Sequence, residues 1–178
     1  IVDTMGDPLP SYKANHIVGA INTSAPLTNG EWGGDCITKD EFLAIVGDAV
    51  GKVDKKVTKT VYHYWNKKTK KWQTTKPIAA NYGKCTNKSS KYYGKKYYTT
   101  KKTTTTKVVN KSKKVVVYCG FTGCGRSHRG AMALVKNGYT NVYRYGGGIS
   151  AWIDAGGEME GTAVVPVETP ETPAEGTN

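Results

Sequence analysis

Residues 115–127 read VVVYCGFTGCGRS and contain a strand, a glycine-rich turn and the start of a helix. The four successive apolar side chains of Val115–Tyr118 are typical of a parallel strand that is buried on both faces. Cys119 follows this strand directly, and the spacing of apolar residues predicts a helix from Ser127 to about Asn137. Strand, loop and helix in this order indicate an α/β fold, in which ligands bind beyond the carboxyl ends of the strands. The sequence therefore places Cys119 where such a fold binds its ligand.

The segments on both sides of this stretch extend the same pattern. Thr38 and Glu41 have the spacing of a capping box, so we expect a helix over residues 38–50. Its predicted apolar face consists of Phe42, Ile45, Val46, Ala49 and Val50. After the central helix, residues 142–145 predict another strand and residues 147–152 a short helix. This alternation of strands and helices predicts a parallel sheet.

Charge is distributed unevenly along the 178 residues. Residues 51–114 contain 20 lysines and one acid, a net charge of +19, while the rest of the chain has a net charge of −7. Aromatic and β-branched runs around a polar turn predict a β-hairpin over residues 61–75, and further strands within residues 96–109. We therefore expect a discontinuous α/β domain (1–51 plus 108–160), a basic β-rich insertion (52–107) and a Pro/Glu/Thr-rich tail (161–178).

Three features of the sequence around Cys119 favour a reactive thiolate. Glycines let the loop amides turn inward as an anion-binding concavity, and the N-terminus of the following helix adds partial positive charge. Arg126 and Arg129 lie in the first turn of that helix. Because each feature stabilises the ionised sulfur, we expect Cys119 to have a lowered pKa and to act as the nucleophile. The predicted loop residues are Gly120, Phe121, Thr122, Gly123 and Gly125, and the predicted substrate-binding residues are Arg126, Ser127 and Arg129.

The other cysteines suggest weaker hypotheses. Cys124, in the same loop, is either a resolving thiol or a passive loop residue. Cys119, Cys124 and His128 would leave a zinc tetrahedron incomplete, so we expect neither a metal nor another cofactor. A disulfide between Cys36 and Cys85 stays open, because the sequence does not give the distance between them.

Five short segments, taken in order, resemble a rhodanese-like sulfurtransferase domain. They are Val2-Asp3, His16-Ile17-x-Gly19-Ala20-Ile21-Asn22, Val117-Tyr118-Cys119 with its loop and Arg126-Ser127, Gly138-Tyr139, and Gly147-Gly148-Ile149-x-Ala151-Trp152-x-x-Ala155-Gly156. The resemblance implies a five-stranded parallel sheet with helices on both faces. It also implies a persulfide on Cys119, which takes sulfane sulfur from a small anionic donor such as thiosulfate and passes it to a thiol or cyanide. We expect structural roles for His16, for Asp3 as a hydrogen-bond anchor and for Trp152 in packing.

The loop length departs from the family pattern. The common family loop has six residues counted from the cysteine, and a helix that starts near Arg126-Ser127 would make this loop about one residue longer. Related phosphatases and arsenate reductases have Cys-x5-Arg, whereas Cys119 and Arg126 are spaced as Cys-x6-Arg. The spacing fits neither pattern cleanly, and it argues against a phosphatase or arsenate reductase. The main alternative is a non-catalytic scaffold of the cell envelope or of an extracellular assembly.

Lysines alternate with aromatic residues in the insertion, a pattern that binds anionic polymers by charge and stacking. No nucleic-acid-binding motif accompanies this pattern, so we do not expect nucleic acid as a ligand. We expect the insertion instead to contact another anionic polymer or a protein partner, or to be a solvent-exposed β-ribbon without a partner. A homo-oligomer is a further expectation. No stretch reaches the roughly 18 apolar residues of a membrane span. The composition of insertion and tail suggests an extracytoplasmic location (secreted, periplasmic or cell envelope), with the cytoplasm as the alternative.

Overall fold

The computed structural model describes residues 1–5, 12–27 and 31–162. Two compact units divide the chain, the first formed by Ile1–Lys52 with Val109–Asn178 and the second by Val53–Val108. Most of the predicted tail lies outside the described residues. In chain order the elements are β1 (Val2–Asp3), β2 (His16–Ile17), β3 (Ile21–Asn22), α1 (Lys39–Val50), β4 (Lys52–Asn66), β5 (Lys71–Gln73), a 3-10 turn (Ala79–Asn81), β6 (Tyr97–Val109), β7 (Val115–Tyr118), α2 (Gly125–Lys136), β8 (Val142–Tyr145), α3 (Gly148–Asp154) and β9 (Met159–Glu160).

The first unit contains a parallel sheet with strand order β3-β1-β7-β8. Val117 pairs with Val2 on one side and with Arg144 on the other, so β7 is an inner strand. The α/β class is confirmed, but the described sheet has four strands instead of the implied five. After α1 the chain enters β4, whose lysines are exposed, and such a strand cannot occupy a position buried on both faces.

Helix α1 begins and ends as its sequence predicts. The Thr38 side chain accepts from the Glu41 amide, and the Glu41 carboxylate accepts from the Thr38 amide at 2.9 Å. Gly51, with φ of 75°, follows the last turn. The core of this unit groups Val2, Phe42, Val46, Val50, Val115, Val117, Ala133, Leu134 and Tyr139. Ile45 is exposed instead, so the apolar face of α1 is narrower than predicted.

A buried hydrogen-bond chain ties the sheet to the segment that follows β1. The Tyr118 hydroxyl donates to Asp3 Oδ2 at 2.7 Å and accepts from the Ile17 amide at 3.2 Å. Asp3 Oδ1 accepts from the Met5 amide at 2.8 Å. Burial raises the pKa of Asp3, although the Tyr118 hydroxyl and the Met5 amide oppose that rise. Asp3 is therefore the hydrogen-bond anchor that its position at the end of a strand predicts.

We expect Tyr118→Phe to lower the free energy of unfolding by about 1–3 kcal/mol at neutral pH, because the buried Asp3 carboxylate loses a donor. The folded-state pKa of Asp3 lies above its unfolded value and rises further in the variant. The cost of the ionised carboxylate is therefore present at neutral pH and falls as the pH falls through the folded-state pKa. Denaturant unfolding at neutral and acidic pH measures this. Tyr143→Phe, on the exposed part of β8, is the control, and equal losses in the two variants would contradict the role of Tyr118.

A small antiparallel pair of β2 and β9 completes the described part of the first unit. His16 Nδ1 lies 2.6 Å from the Tyr12 carbonyl, and its Nε2 lies 3.0 Å from Glu160 Oε1. The His16 ring also stacks on Tyr12. Both ring nitrogens thus have structural partners. Trp152 packs edge-on against Tyr145 of β8, which is the packing role expected of Trp152.

The second unit is built around a three-stranded sheet with order β5-β4-β6. Strands β4 and β5 form the predicted hairpin, in which Trp65 pairs with Trp72 and Asn66 caps the turn through the Lys68 and Thr69 amides. On one face, aromatic rings pack against each other and form a small core, made of His63, Trp65, Trp72, Tyr92 and Tyr98.

Candidate active site

The loop between β7 and α2 has the family's common length. Helix α2 begins at Gly125 with Cys124 as its N-cap, so the loop comprises residues 119–124. The Cys124 amide donates to the Phe121 carbonyl at 3.1 Å, and Gly123 has a φ of 93°. The expected extra residue is wrong, because the helix starts at Gly125 and not near Arg126-Ser127. Gly125, predicted in the loop, is the first helical residue.

Helix α3 holds the first two residues of this loop. The Ile149 amide donates to the Cys119 carbonyl at 2.8 Å, and the Ser150 amide and hydroxyl each donate to the Gly120 carbonyl at 3.0 Å. Gly148 precedes these donors with a φ of 67°, in the left-handed region that favours glycine. The helix N-terminus therefore binds the loop backbone directly.

The Cys119 thiol lies in a closed, polar position. Only 1% of the residue is exposed. Its Sγ lies 3.4 Å from the Cys124 carbonyl oxygen and 3.3 Å from Ser127 Oγ, and Ser127 is itself fully buried. The thiol donates to both oxygens, and of the two only the Ser127 hydroxyl, at the start of α2, can donate in return to an ionised sulfur. The Ser127 amide also acts to lower the pKa of this thiol.

The expected lowering of the Cys119 pKa is wrong. Burial raises the pKa of this thiol, and a side-chain hydrogen bond with Cys124 raises it further. The hydroxyl and amide of Ser127 act in the opposite direction without overcoming burial. The charges near the loop are visible in the sequence, whereas the desolvation of the sulfur, which disfavours the thiolate, follows only from the folded structure.

Arg126 and Arg129 are bound to other groups. The Arg126 guanidinium donates to the Ala25 carbonyl at 2.6 Å and pairs with Asp35 at 2.8 Å. Arg129 donates to the Leu27 carbonyl at 2.6 Å. Both arginines connect α2 to the segment between β3 and α1. None of their hydrogen bonds in the described structure reaches the Cys119 loop. Their predicted contact with a substrate anion is therefore absent from this arrangement.

Arg144 was not among the predicted site residues. It lies beside the Cys119 loop, where Arg126 and Arg129 were expected. From β8 its Nε donates to Ser127 Oγ at 3.0 Å and its Nη2 to the Cys124 carbonyl at 3.2 Å. Arg144 is nonetheless an exposed residue, so its guanidinium is accessible to solvent while it contacts Ser127 and Cys124. The sequence contains one signal for this residue, because Arg144 lies near the carboxyl end of the predicted strand 142–145, where such folds bind their ligands.

The remaining predicted site residues form no further cluster. Cys124 is 5% exposed and lies beside Cys119 in the loop. His128 points to solvent, and no group of His, Cys, Asp and Glu able to hold a metal occurs in the described ranges. Cys36 and Cys85 are both free thiols, so the structure contains no disulfide between them.

The fold and the site together define an α/β protein with a cysteine at the carboxyl end of a parallel strand, in a loop that leads into a helix. A family model described as Rhodanese-like domain matches residues 77–155, so this part of the chain is similar to rhodanese-like domains. The matched range begins in the second unit and includes β7, the whole Cys119 loop and α3. No curated protein and no solved structure matches the chain. Within the described ranges, none of the helices has the length and apolar character needed to cross a bilayer.

Proposed function

We propose that the domain is a sulfurtransferase that carries sulfane sulfur as a persulfide on Cys119. The observation that carries this proposal is the position of the Cys119 Sγ, at the end of β7, facing the hydroxyl and amide of Ser127 at the start of α2. Arg144 adds a cation to this group through its bond to Ser127. A persulfide anion on Cys119 would be stabilised by these same donors.

In the proposed reaction, the Cys119 thiolate attacks the outer sulfur of thiosulfate. A sulfur–sulfur bond forms to Cys119, the original sulfur–sulfur bond breaks, and sulfite leaves with the electron pair. Cyanide or a thiol then attacks the outer sulfur of the persulfide and regenerates the thiolate. Because the thiol is buried, part of the loop must move before the donor reaches it. Phe121, Thr122 and Gly123 are exposed and have the freedom to do so.

The proposal is tested by mass spectrometry of peptides from protein treated with thiosulfate. We expect a gain of about 32 Da, one sulfur atom, on the peptide that contains Cys119. Cys36, a half-buried thiol of the same unit, is the internal control and should remain unmodified. An unmodified Cys119, or equal modification of both peptides, would reject the persulfide mechanism.

The raised pKa of Cys119 predicts a specific pH dependence. Because the thiolate is the nucleophile, kcat/KM for thiosulfate should rise with pH and keep rising beyond the ordinary range of cysteine ionisation. Steady-state thiocyanate formation across neutral and alkaline pH measures the profile, after a check that the protein stays folded. A rate that is already independent of pH near neutrality would contradict a buried, protonated thiol.

Arg144 should contribute to binding of the anionic donor. We expect Arg144→Gln to raise KM for thiosulfate roughly tenfold, since a charged donor beside the site is lost. Arg126→Gln is the matched control, because Arg126 pairs with Asp35 and makes no described contact with the loop. A larger rise in KM for the Arg126 variant would restore the role that the sequence suggested and remove the one given to Arg144.

A second candidate function is a non-catalytic scaffold that binds a linear anionic polysaccharide through the second unit. The closed thiol and the arginines bound elsewhere favour it. Tyr62, Tyr64 and Tyr97 lie together on the β4–β6 face opposite the packed rings, with centroids 6.0–6.4 Å apart. Strand alternation puts Lys56 and Lys101 on the same face. Aromatic rings and cations on one flat surface suit a polymer of uronic acid units.

A binding assay with polygalacturonate tests the scaffold proposal. We expect binding that weakens with salt and falls at least fivefold in Tyr62→Ala/Tyr97→Ala, two exposed residues. Tyr143→Ala, an exposed tyrosine of the first unit, is the control. Tighter binding of single-stranded DNA than of the polysaccharide would reject the proposed ligand class, as would binding that is unchanged in the double variant.

A further inference from the structure

The loop contains a second thiol that the transfer to cyanide does not use. Cys119 and Cys124 are both nearly fully buried, at 1% and 5% exposure, and the Cys119 Sγ contacts the Cys124 carbonyl at 3.4 Å. The turn between them is closed by the hydrogen bond from the Cys124 amide to Phe121. The second cysteine of the loop therefore lies, through its backbone, against the Cys119 sulfur within the same buried turn.

We propose that Cys124 attacks the Cys119 persulfide and releases hydrogen sulfide, leaving a disulfide between the two cysteines. This inference rests on the proposed persulfide. It makes the domain a reductase of sulfane sulfur, with an external dithiol as the second substrate. It also assigns Cys124 the resolving role that the sequence left undecided.

The step balances in atoms and electrons. The Cys124 thiolate attacks the Sγ of Cys119, a bond forms between the two cysteine sulfurs, and the bond from Cys119 to the outer sulfur breaks. The outer sulfur leaves as HS⁻ with the electron pair and the proton that Cys124 gives up. Sulfane sulfur is reduced by two electrons, and two cysteines are oxidised to one disulfide. An external dithiol restores both thiols by exchange and becomes a disulfide itself.

The surroundings of Cys124 suit this chemistry. Cys124 is the N-cap of the twelve-residue helix α2, where an anion is stabilised by the helix N-terminus. The guanidinium of Arg144 lies 3.2 Å from its carbonyl oxygen, close to where the outer sulfur would leave. The exposed residues Phe121, Thr122 and Gly123 separate the two cysteines. Disulfide formation requires the two sulfurs to reach a bonding distance of about 2.05 Å, and this exposed turn is the segment whose movement would bring them together.

The test follows a single turnover without any added thiol. Wild type, Cys124→Ser and Cys36→Ser are loaded with thiosulfate, freed of donor and incubated, and sulfide and the state of each cysteine are measured with time. Serine is a favoured N-cap residue, so the Cys124 variant should fold. We expect wild type and Cys36→Ser to release sulfide and form the Cys119–Cys124 disulfide, which dithiothreitol reduces. Cys124→Ser should retain its persulfide and release at least tenfold less sulfide.

The outcomes separate this inference from the proposed function. A persulfide that forms on Cys119 but is equally stable in wild type and Cys124→Ser would overturn the role of Cys124 and leave the sulfurtransferase proposal intact. A disulfide that links Cys119 to another cysteine would also overturn it. If no persulfide forms on Cys119 in any of the three proteins, both proposals fall together.

Discussion

Replacement of Cys119 by serine should reduce thiocyanate formation from thiosulfate and cyanide by roughly a thousandfold or more. A hydroxyl at this position cannot accept sulfane sulfur, because it is not ionised at these pH values and forms no stable bond analogous to the persulfide. The neighbouring Ser127 hydroxyl and amide remain, but they stabilise an anion that no longer forms. Steady-state thiocyanate assays on the purified variants measure the effect.

The matched control for this prediction is Cys36→Ser, which removes a half-buried thiol of the same unit. We expect its activity to stay within about twofold of wild type, and circular dichroism should show both variants folded. If Cys119→Ser keeps its activity, or if Cys36→Ser loses as much, the nucleophile is not Cys119. An inactive wild type would instead favour the scaffold candidate.

Substitution of Gly148 by alanine should be the most damaging small change away from the thiol itself. A Cβ at this position would contact the Cys119 carbonyl oxygen and lie 2.5 Å from the Phe121 nitrogen and 2.6 Å from the Gly120 carbonyl carbon. These are backbone atoms, so the loop itself must shift. The φ of 67° adds strain for any L residue. We expect a loss of about 2–5 kcal/mol in the free energy of unfolding, together with loss of activity.

Gly156→Ala separates the two causes of this effect. Gly156 follows the same helix with a nearly equal φ of 70°, and a Cβ added there would have no atom of the described structure within 4 Å. The control should therefore cost only the backbone strain, about 1–2 kcal/mol, and keep its activity. Denaturant unfolding and the thiocyanate assay measure both variants. Equal losses in the two would mean that the contact between Gly148 and the loop is unimportant.

The elements that the sequence predicts well are those fixed by local signals. The capping box of Thr38 and Glu41 marks the start of α1, and the polar turn after Asn66 marks the hairpin of the second unit. The apolar run Val115–Tyr118 becomes an inner strand that places Cys119 at its carboxyl end. Each of these elements depends on neighbours within a few residues, so tertiary contacts do not alter where it begins and ends.

The site was predicted less well, because its electrostatics depend on distant segments. Arg126 and Arg129 lie in the first turn of the helix that follows Cys119, but carbonyls and a carboxylate more than 90 residues earlier in the chain bind them. The pKa of Cys119 follows from burial, which no local motif reports. Arg144 reaches the loop through the pairing of β7 with β8, a register that the sequence does not state.

The attachment of α3 to the loop has a consequence for the choice of donor. Because the carbonyls of Cys119 and Gly120 are both bound by the α3 N-terminus, any opening is confined to the three exposed residues that follow. In the proposed sulfurtransferase, an opening limited to these residues would favour a donor of a few atoms over a sulfur atom carried on a folded protein. Selection of the donor by size would then come from the exposed residues 121–123 of the loop. The charge of Arg144 would act only on donors that have already entered.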